Sequence, residues 1–203
     1  MEDVEIVNDS QATRIELCAH MRQGGLTPER DFMVAACEQS RVPVRIMIRP
    51  TDRDFFYTEA EFDQMLADIA FVRTATKAEG ISVGILSPDF TVNMERMRKV
   101  VKEAGRLKIT FNRAFEKLAD PVAGYSALCK LGVNCILAEA SEALDQIPRA
   151  PVKIRVGGGL KPTDLPNLRA RGLMNIHMGR AVRKKLSYSH GIDSTKIWEF
   201  IHD

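Results

Sequence analysis

Short β-rich runs alternate with helical segments along this chain, and this alternation limits the folds that the chain can adopt. The runs are VEIV (4–7), TRIELC (13–18), VRIMI (44–48), ISVGIL (81–86), LKITF (107–111), VNCILA (133–138), VKIRV (152–156) and MNIHM (174–178). Strands that alternate with helices favour a parallel sheet covered by helices. The sequence therefore predicts an α/β fold with eight strands.

The segments between these runs carry signals for the starts and ends of helices. In TEAEFDQMLADIAFV, Thr58 is followed three residues later by Glu61, which predicts a capping box. In NMERMRKVVKEAG the apolar residues fall on one helical face, and Gly105 can end the helix. Asp120 and Pro121 open a further helix. These signals support helices between the predicted strands.

Eight strands with intervening helices fit either a closed TIM (β/α)8 barrel or a doubly wound sheet. No G-x-G-x-x-G motif follows the first run, which weakens the dinucleotide-binding form of the second fold. Three glycines at 157–159 follow the seventh run, where barrels often bind phosphate. No linker or low-complexity stretch divides the chain. We therefore predict one TIM-barrel-like domain over residues 1–203.

Two connections are too short for an ideal barrel. Only residues 8–12 separate the first two runs, whereas a parallel crossover needs about a dozen residues or more. The first crossover helix is therefore expected to be missing. Residues 139–151 leave room for about two helical turns around SEALDQ, so the sixth crossover helix is expected to be shortened.

The composition excludes several classes of partner. A formal net charge of +2 over 203 residues argues against nucleic-acid binding through phosphate neutralisation. No apolar run approaches the ~18 residues of a membrane span. The N-terminal MEDVEIVNDS lacks the basic and then apolar layout of a signal peptide. An intracellular protein with no membrane or nucleic-acid partner is expected.

Polar residues cluster where the predicted strands end. In a barrel these ends converge on one mouth, where active sites are built. The set comprises Glu16, Cys18, Arg49, Ser87, Asn112, Arg113, Glu139 and Arg180. Arg49 and Arg113 suit a carboxylate or phosphate because guanidinium groups bind such anions bidentately, and Glu16 is the candidate acid or base. Alternatively, the two arginines neutralise Glu16 and Glu139.

The run KIRVGGGLKP raises a related question about the seventh strand. Gly157, Gly158 and Gly159 leave backbone amides accessible, and a helix begins after them. Together with Arg180, they predict an anion-binding cradle. The competing interpretation is that the glycines only let the loop bend.

The segment CAHM (18–21) presents soft metal ligands. Cys18, His20 and Met21 offer a thiolate, an imidazole and a thioether, which together suit Cu(I). Strand alternation points Met21 away from the other two unless the turn at 22–25 brings it back. The alternative is a buried cysteine beside an exposed histidine. The other cysteines, Cys37, Cys129 and Cys135, are expected to be buried thiols.

The order of several motifs resembles that of the CutC copper homeostasis family. They are RIELC (14–18), GGLTP (24–28), IMIRP (46–50), DFFYTEAEFDQML (54–66), ITFNRAF (109–115), DP (120–121) and VGGGL (156–160). The resemblance implies a TIM barrel, a cytoplasmic location and a role in copper homeostasis or copper-ion binding, and it brings no established reaction. The chain departs from the family at Asn112, where a histidine is usual, and at Glu116, where an aspartate is usual. It also reads RVGGG where the family has MPGGG.

Three hypotheses for function remain open, and whether the chain is an enzyme is one of the questions. The first is a copper homeostasis protein that binds Cu(I) through Cys18, helped by His20 and Met21. The second is a TIM-barrel enzyme acting on a small anionic or phosphorylated metabolite. The third is a structural role in which an incomplete barrel persists by assembling, so a homo-oligomer is expected.

Overall fold

The computed structural model describes residues 1–202, and its centre is a sheet of seven parallel strands in chain order. The strands are β1 (Ile15–Leu17), β2 (Val44–Met47), β3 (Gly80–Val83), β4 (Lys108–Phe111), β5 (Cys135–Glu139), β6 (Lys153–Gly157) and β7 (Asn175–Ile176). Each strand pairs with the next in parallel register. The sheet curls into a half-barrel, which is the predicted TIM-barrel-like α/β fold.

Seven α-helices precede, connect or follow the strands within the described residues. They are α1 (Glu2–Asn8), α2 (Arg30–Gln39), α3 (Glu59–Ala75), α4 (Met94–Ala104), α5 (Pro121–Lys130), α6 (Leu165–Ala170) and α7 (Ser194–His202). The capping box at the start of α3 is confirmed, since the Thr58 amide donates to Glu61 Oε2 at 2.8 Å and the Glu61 amide donates to Thr58 Oγ1 at 3.2 Å. No helix within residues 1–202 has the length and apolar content needed to cross a bilayer.

The prediction of a strand at 4–7 is wrong, because this run belongs to α1. Val4 and Val7 are three residues apart and both are buried, as one face of a helix requires. Acidic residues in the first turn also favour a helix start. The sheet therefore has seven strands rather than eight, and α1 leads directly into β1. The expectation of a missing first crossover helix is corrected accordingly. The element that is absent is the predicted first strand, and α1 occupies its place.

The shortened sixth connection is confirmed. Between β5 and β6 the chain forms a single 3₁₀ segment, Glu142–Gln146, in place of an α-helix. The segment still covers the sheet, because Leu144 and Ile147 are buried in the core.

The two faces of the strands carry different chemistry. Outward side chains such as Ile46, Ile81 and Ile136 are fully buried in the apolar core. Arg45 and Thr110 face the barrel interior, where Arg45 Nη1 donates a hydrogen bond to Thr110 Oγ1. A polar interior leaves hydrogen-bonding groups available for a ligand.

The barrel has an open side, which we call the seam, between β1 and β7. Within residues 1–202 no backbone ladder joins these two edge strands. Side chains bridge the gap instead, since Glu16 Oε2 lies 3.6 Å from His177 Nε2. Helix α1 is tied across the seam by Asp3, which pairs with Arg183 at 2.7 Å and accepts from the Ile192 amide at 3.0 Å.

Candidate functional site

A cavity of about 870 Å³ opens at the seam and at the carboxyl ends of the strands. Its walls include most of the residues singled out from the sequence, namely Glu16, Cys18, Met21, Arg49, Asn112, Arg113, Glu139, Gly157, Gly158, Gly159 and Arg180. His20 is not part of these walls and is exposed on the other side of Met21. The curled sheet thus gathers residues that are far apart in the chain around one space.

The turn after β1 brings two sulfur atoms together. Ala19 and Leu26 exchange backbone hydrogen bonds of 2.9 and 2.8 Å, which folds the intervening residues back on themselves. Gly25 has a φ of +88°, and a Cβ atom there would lie 3.3 Å from Met21 Sδ and 3.6 Å from Cys18 Sγ. Glycine is therefore needed both for the backbone conformation and for space. Met21 returns to the side of Cys18, as the copper hypothesis requires.

Cys18 is a protonated thiol near neutral pH. Burial raises its pKa well above the ordinary value, and the negative charge of Glu16 raises it further. Metal binding at this sulfur must therefore displace a proton.

Three further methionines line the cavity and were not identified from the sequence, namely the exposed Met1 and the less exposed Met47 and Met178. Met47 lies on the interior face of β2, with the side-chain nitrogen of Asn112 at 3.8 Å from its sulfur, and Met178 follows β7. The period-2 alternation that places Arg45 inside also places Met47 inside, so the signal was present. Within residues 1–202, no group of three or more His, Cys, Asp and Glu gathers as metal ligands. A copper site here would depend on methionine.

Arg49 supports the turn that holds the sulfurs. Its guanidinium donates to the carbonyl oxygens of Gln23 at 3.2 Å, Gly25 at 3.4 Å and Asp52 at 3.1 Å. It also lies over the ring of Phe55, 5.0 Å from the centroid. These contacts engage both terminal nitrogens of the guanidinium, so Arg49 holds the turn after β1 in position.

Arg113 is paired with two carboxylates. Its guanidinium forms a fork with Glu116, with distances of 2.6 and 2.8 Å, and also contacts Glu139. The hydrogen bond that Arg113 donates to Glu116 is the main cause of a raised pKa of Arg113. The arrangement corresponds to the alternative in which this arginine neutralises Glu139.

His177 and Glu16 form a contact across the seam. Burial lowers the pKa of His177, the charge of Glu16 opposes this, and the charges of Arg155 and Arg113 add to the lowering. The imidazole is therefore neutral at pH 7 and can accept or release a proton beside the Glu16 carboxyl group.

Two of the three glycines pack closely against side chains of the cavity. A Cβ at Gly157 would lie 3.2 Å from His177, and one at Gly158, where φ is +91°, would lie 2.3 Å from Glu139 Cγ. Gly159 also has a positive φ of +71° but has open space beside it. The Glu139 carboxylate opposes an anion at Gly158, whereas the amide of Gly159 is less obstructed. The cradle stays a prediction, with Arg180 exposed at its rim.

Of the other cysteines, Cys37 and Cys135 are buried as predicted, but Cys129 is only half-buried. Cys129 lies near the end of α5, where the helix face turns towards solvent. The expectation that all three are buried is corrected at this position.

Comparison with known proteins gives consistent matches. The CutC family model matches residues 1–182. The family protein CutC of Klebsiella pneumoniae (strain 342) is 38% identical over 177 residues, which covers 82% of this chain and 71% of that protein. The family protein CutC of Salmonella schwarzengrund (strain CVM19633) is 37% identical over 182 residues, with coverages of 84% and 73%.

Two solved structures share the fold. The putative copper homeostasis protein CutC from Streptococcus agalactiae superposes with a TM-score of 0.75 at 24% identity, covering 81% of this chain and 87% of that one. A 3-hexulose-6-phosphate synthase superposes with a TM-score of 0.57 at 14% identity, covering 98% and 91%. At these identities the likeness shows a common barrel architecture.

Proposed function

This chain belongs to the CutC family, and from that premise we propose that it serves copper homeostasis in the cytoplasm by binding Cu(I) at Cys18 and Met21. The observation that carries the proposal is the turn at Gly25, which places both sulfur atoms beside one glycine at the cavity wall. Thiolate and thioether sulfur are the ligands that select Cu(I).

The surroundings of the sulfur pair offer further ligands for a bound copper ion. Met47 and Met178 line the same cavity and offer further thioether ligands. His20 lies outside the cavity, so the proposed ligand set does not include it. Because the Cys18 thiol is protonated, each copper ion displaces one proton. The apparent affinity should therefore rise about tenfold per pH unit below the pKa of the thiol.

The test is an anaerobic Cu(I) titration against a competing chromophoric chelator. Cys18→Ser should weaken binding at least about 100-fold because the only thiolate ligand is lost. Met21→Leu should weaken it about tenfold because the volume is kept and one sulfur is removed. Met94→Leu, on the outer helix α4, is the matched control and should leave the affinity unchanged. Equal Cu(I) affinity of the wild type and Cys18→Ser would refute the proposal.

A further inference from the structure

Arg155 is a half-buried arginine on β6 that lines the interior of the cavity. Among the other arginines of the cavity wall, Arg14 pairs with Glu79 at 2.7 Å and Arg113 pairs with Glu116 at 2.6 Å, while Arg49 donates to backbone carbonyl oxygens. Within residues 1–202, no hydrogen bond or ion pair joins the Arg155 guanidinium to another residue. The half-buried Arg155 guanidinium thus has no acceptor within the described part of the chain.

The charge of Arg155 acts on groups that are already cationic or basic. Burial lowers the pKa of Arg45, and the charges of Arg14 and Arg155 lower it further. The charge of Arg155 likewise lowers the pKa of His177. A partly buried charge that repels its neighbours and lacks a partner costs stability. An anion from outside the chain would offset this cost.

We propose that Arg155 and His177 form a binding site for a small metabolite that carries a carboxylate or phosphate group. The guanidinium fork matches the two oxygens of such a group. The His177 imidazole lies on the same side of the sheet, where β6 and β7 run side by side, and Gly157 leaves room next to it. The cavity volume of about 870 Å³ is within the usual range for small-molecule sites.

Glu16 completes the site from the opposite side of the seam. Its carboxyl group lies 3.6 Å from His177 Nε2 and borders the site from the edge of β1. The anion would contact Arg155 and His177 rather than Cys18 and Met21, and the site differs from a cradle built on the glycine amides and Arg180.

Binding of inorganic phosphate and, in a second series, of acetate is measured by calorimetry at constant ionic strength. Arg155→Gln should weaken the binding of the preferred anion by at least about tenfold, because both charge-assisted hydrogen bonds are lost. Arg155→Lys keeps the charge without the fork and should retain part of the affinity. The matched control is Arg180→Gln at the exposed rim, which should change the affinity less than about twofold. Preference between the two anions distinguishes a phosphorylated ligand from a carboxylate.

Stability supplies a second measurement that does not depend on affinity. Without ligand, the thermal midpoint of Arg155→Gln should equal or exceed that of the wild type, because an unpartnered cation is removed. Added phosphate should raise the midpoint of the wild type and leave that of Arg155→Gln unchanged. Cu(I) affinity should be the same in wild type and Arg155→Gln, so failure here is distinguishable from failure of the copper proposal. Absence of saturable binding of both anions by the wild type would overturn the inference. An equal loss in Arg155→Gln and Arg180→Gln would overturn it as well.

Discussion

Glu79 holds three cations at the amino-terminal end of the barrel, and its replacement by glutamine tests how far the fold depends on this cluster. Arg14 binds both carboxylate oxygens, with distances of 2.7 and 3.2 Å. Arg45 lies 3.2 Å from Oε2 and Lys108 lies 3.0 Å from Oε1. The Arg45 side chain is only 5% exposed, so loss of the carboxylate charge leaves a buried cation poorly compensated.

The magnitude follows from the pKa of Glu79. Burial by itself would raise this pKa, but hydrogen bonds from Arg14 and Lys108 and the charges of Arg14 and Arg45 outweigh burial and lower it from 4.5 to about 2. At about 1.4 kcal/mol per pKa unit, and with a reduction for partial solvent access, the ionised form contributes about 2–3 kcal/mol. Because the native pKa is depressed, this contribution is complete above about pH 5 and is lost as the pH falls towards 2.

Urea unfolding at a series of pH values measures the effect. At pH 7, Glu79→Gln should lower the free energy of unfolding by about 2–3 kcal/mol, and the difference from the wild type should shrink as the pH falls from 5 towards 2. Glu95→Gln is the matched control, because Glu95 pairs only with Lys99 on the surface of α4, and its stability should be nearly that of the wild type. A Glu79→Gln protein as stable as the wild type at pH 7, or a deficit that does not depend on pH, would refute the reasoning.

Four other outcomes are expected. Gly80→Ala should destabilise the protein by more than about 2 kcal/mol in urea unfolding, because its Cβ would lie 2.1 Å from the Lys108 carbonyl oxygen on the neighbouring strand. Gly132→Ala, with φ of +72° and open space around it, should cost only about 1 kcal/mol. Cys18 should react with a thiol reagent before the buried Cys37, and its rate should rise about tenfold per pH unit because its pKa is raised. Light scattering at micromolar concentration should show a homo-oligomer, since the edges of β1 and β7 are open, and a monomer would contradict this.

The run VEIV shows why part of the fold was not predictable. Two valines three positions apart fit a helical face, while three β-branched residues within four positions also fit a strand. The choice depended on packing, since Val4 and Val7 are both buried in the structure. Over so short a segment, intrinsic propensity is too weak to decide against tertiary contacts.

The sequence by itself determined the alternation of strands and helices, the capping box of α3 and the short connection before β6. These features arise from residues within a few positions of one another, so local periodicity and backbone preference are sufficient to specify them. The residue types also showed that Cys18 and Met21 carry sulfur ligands suited to Cu(I).

Only the tertiary structure decided which of these residues meet. The curling of the sheet brings Glu16 to His177 and Glu139 to Arg113, and it leaves Arg155 without a partner inside the barrel. These relations join different strands, and their geometry depends on strand register and on the open seam. Because sequence patterns report on neighbours along the chain, they identify candidate residues without deciding which charges are neutralised.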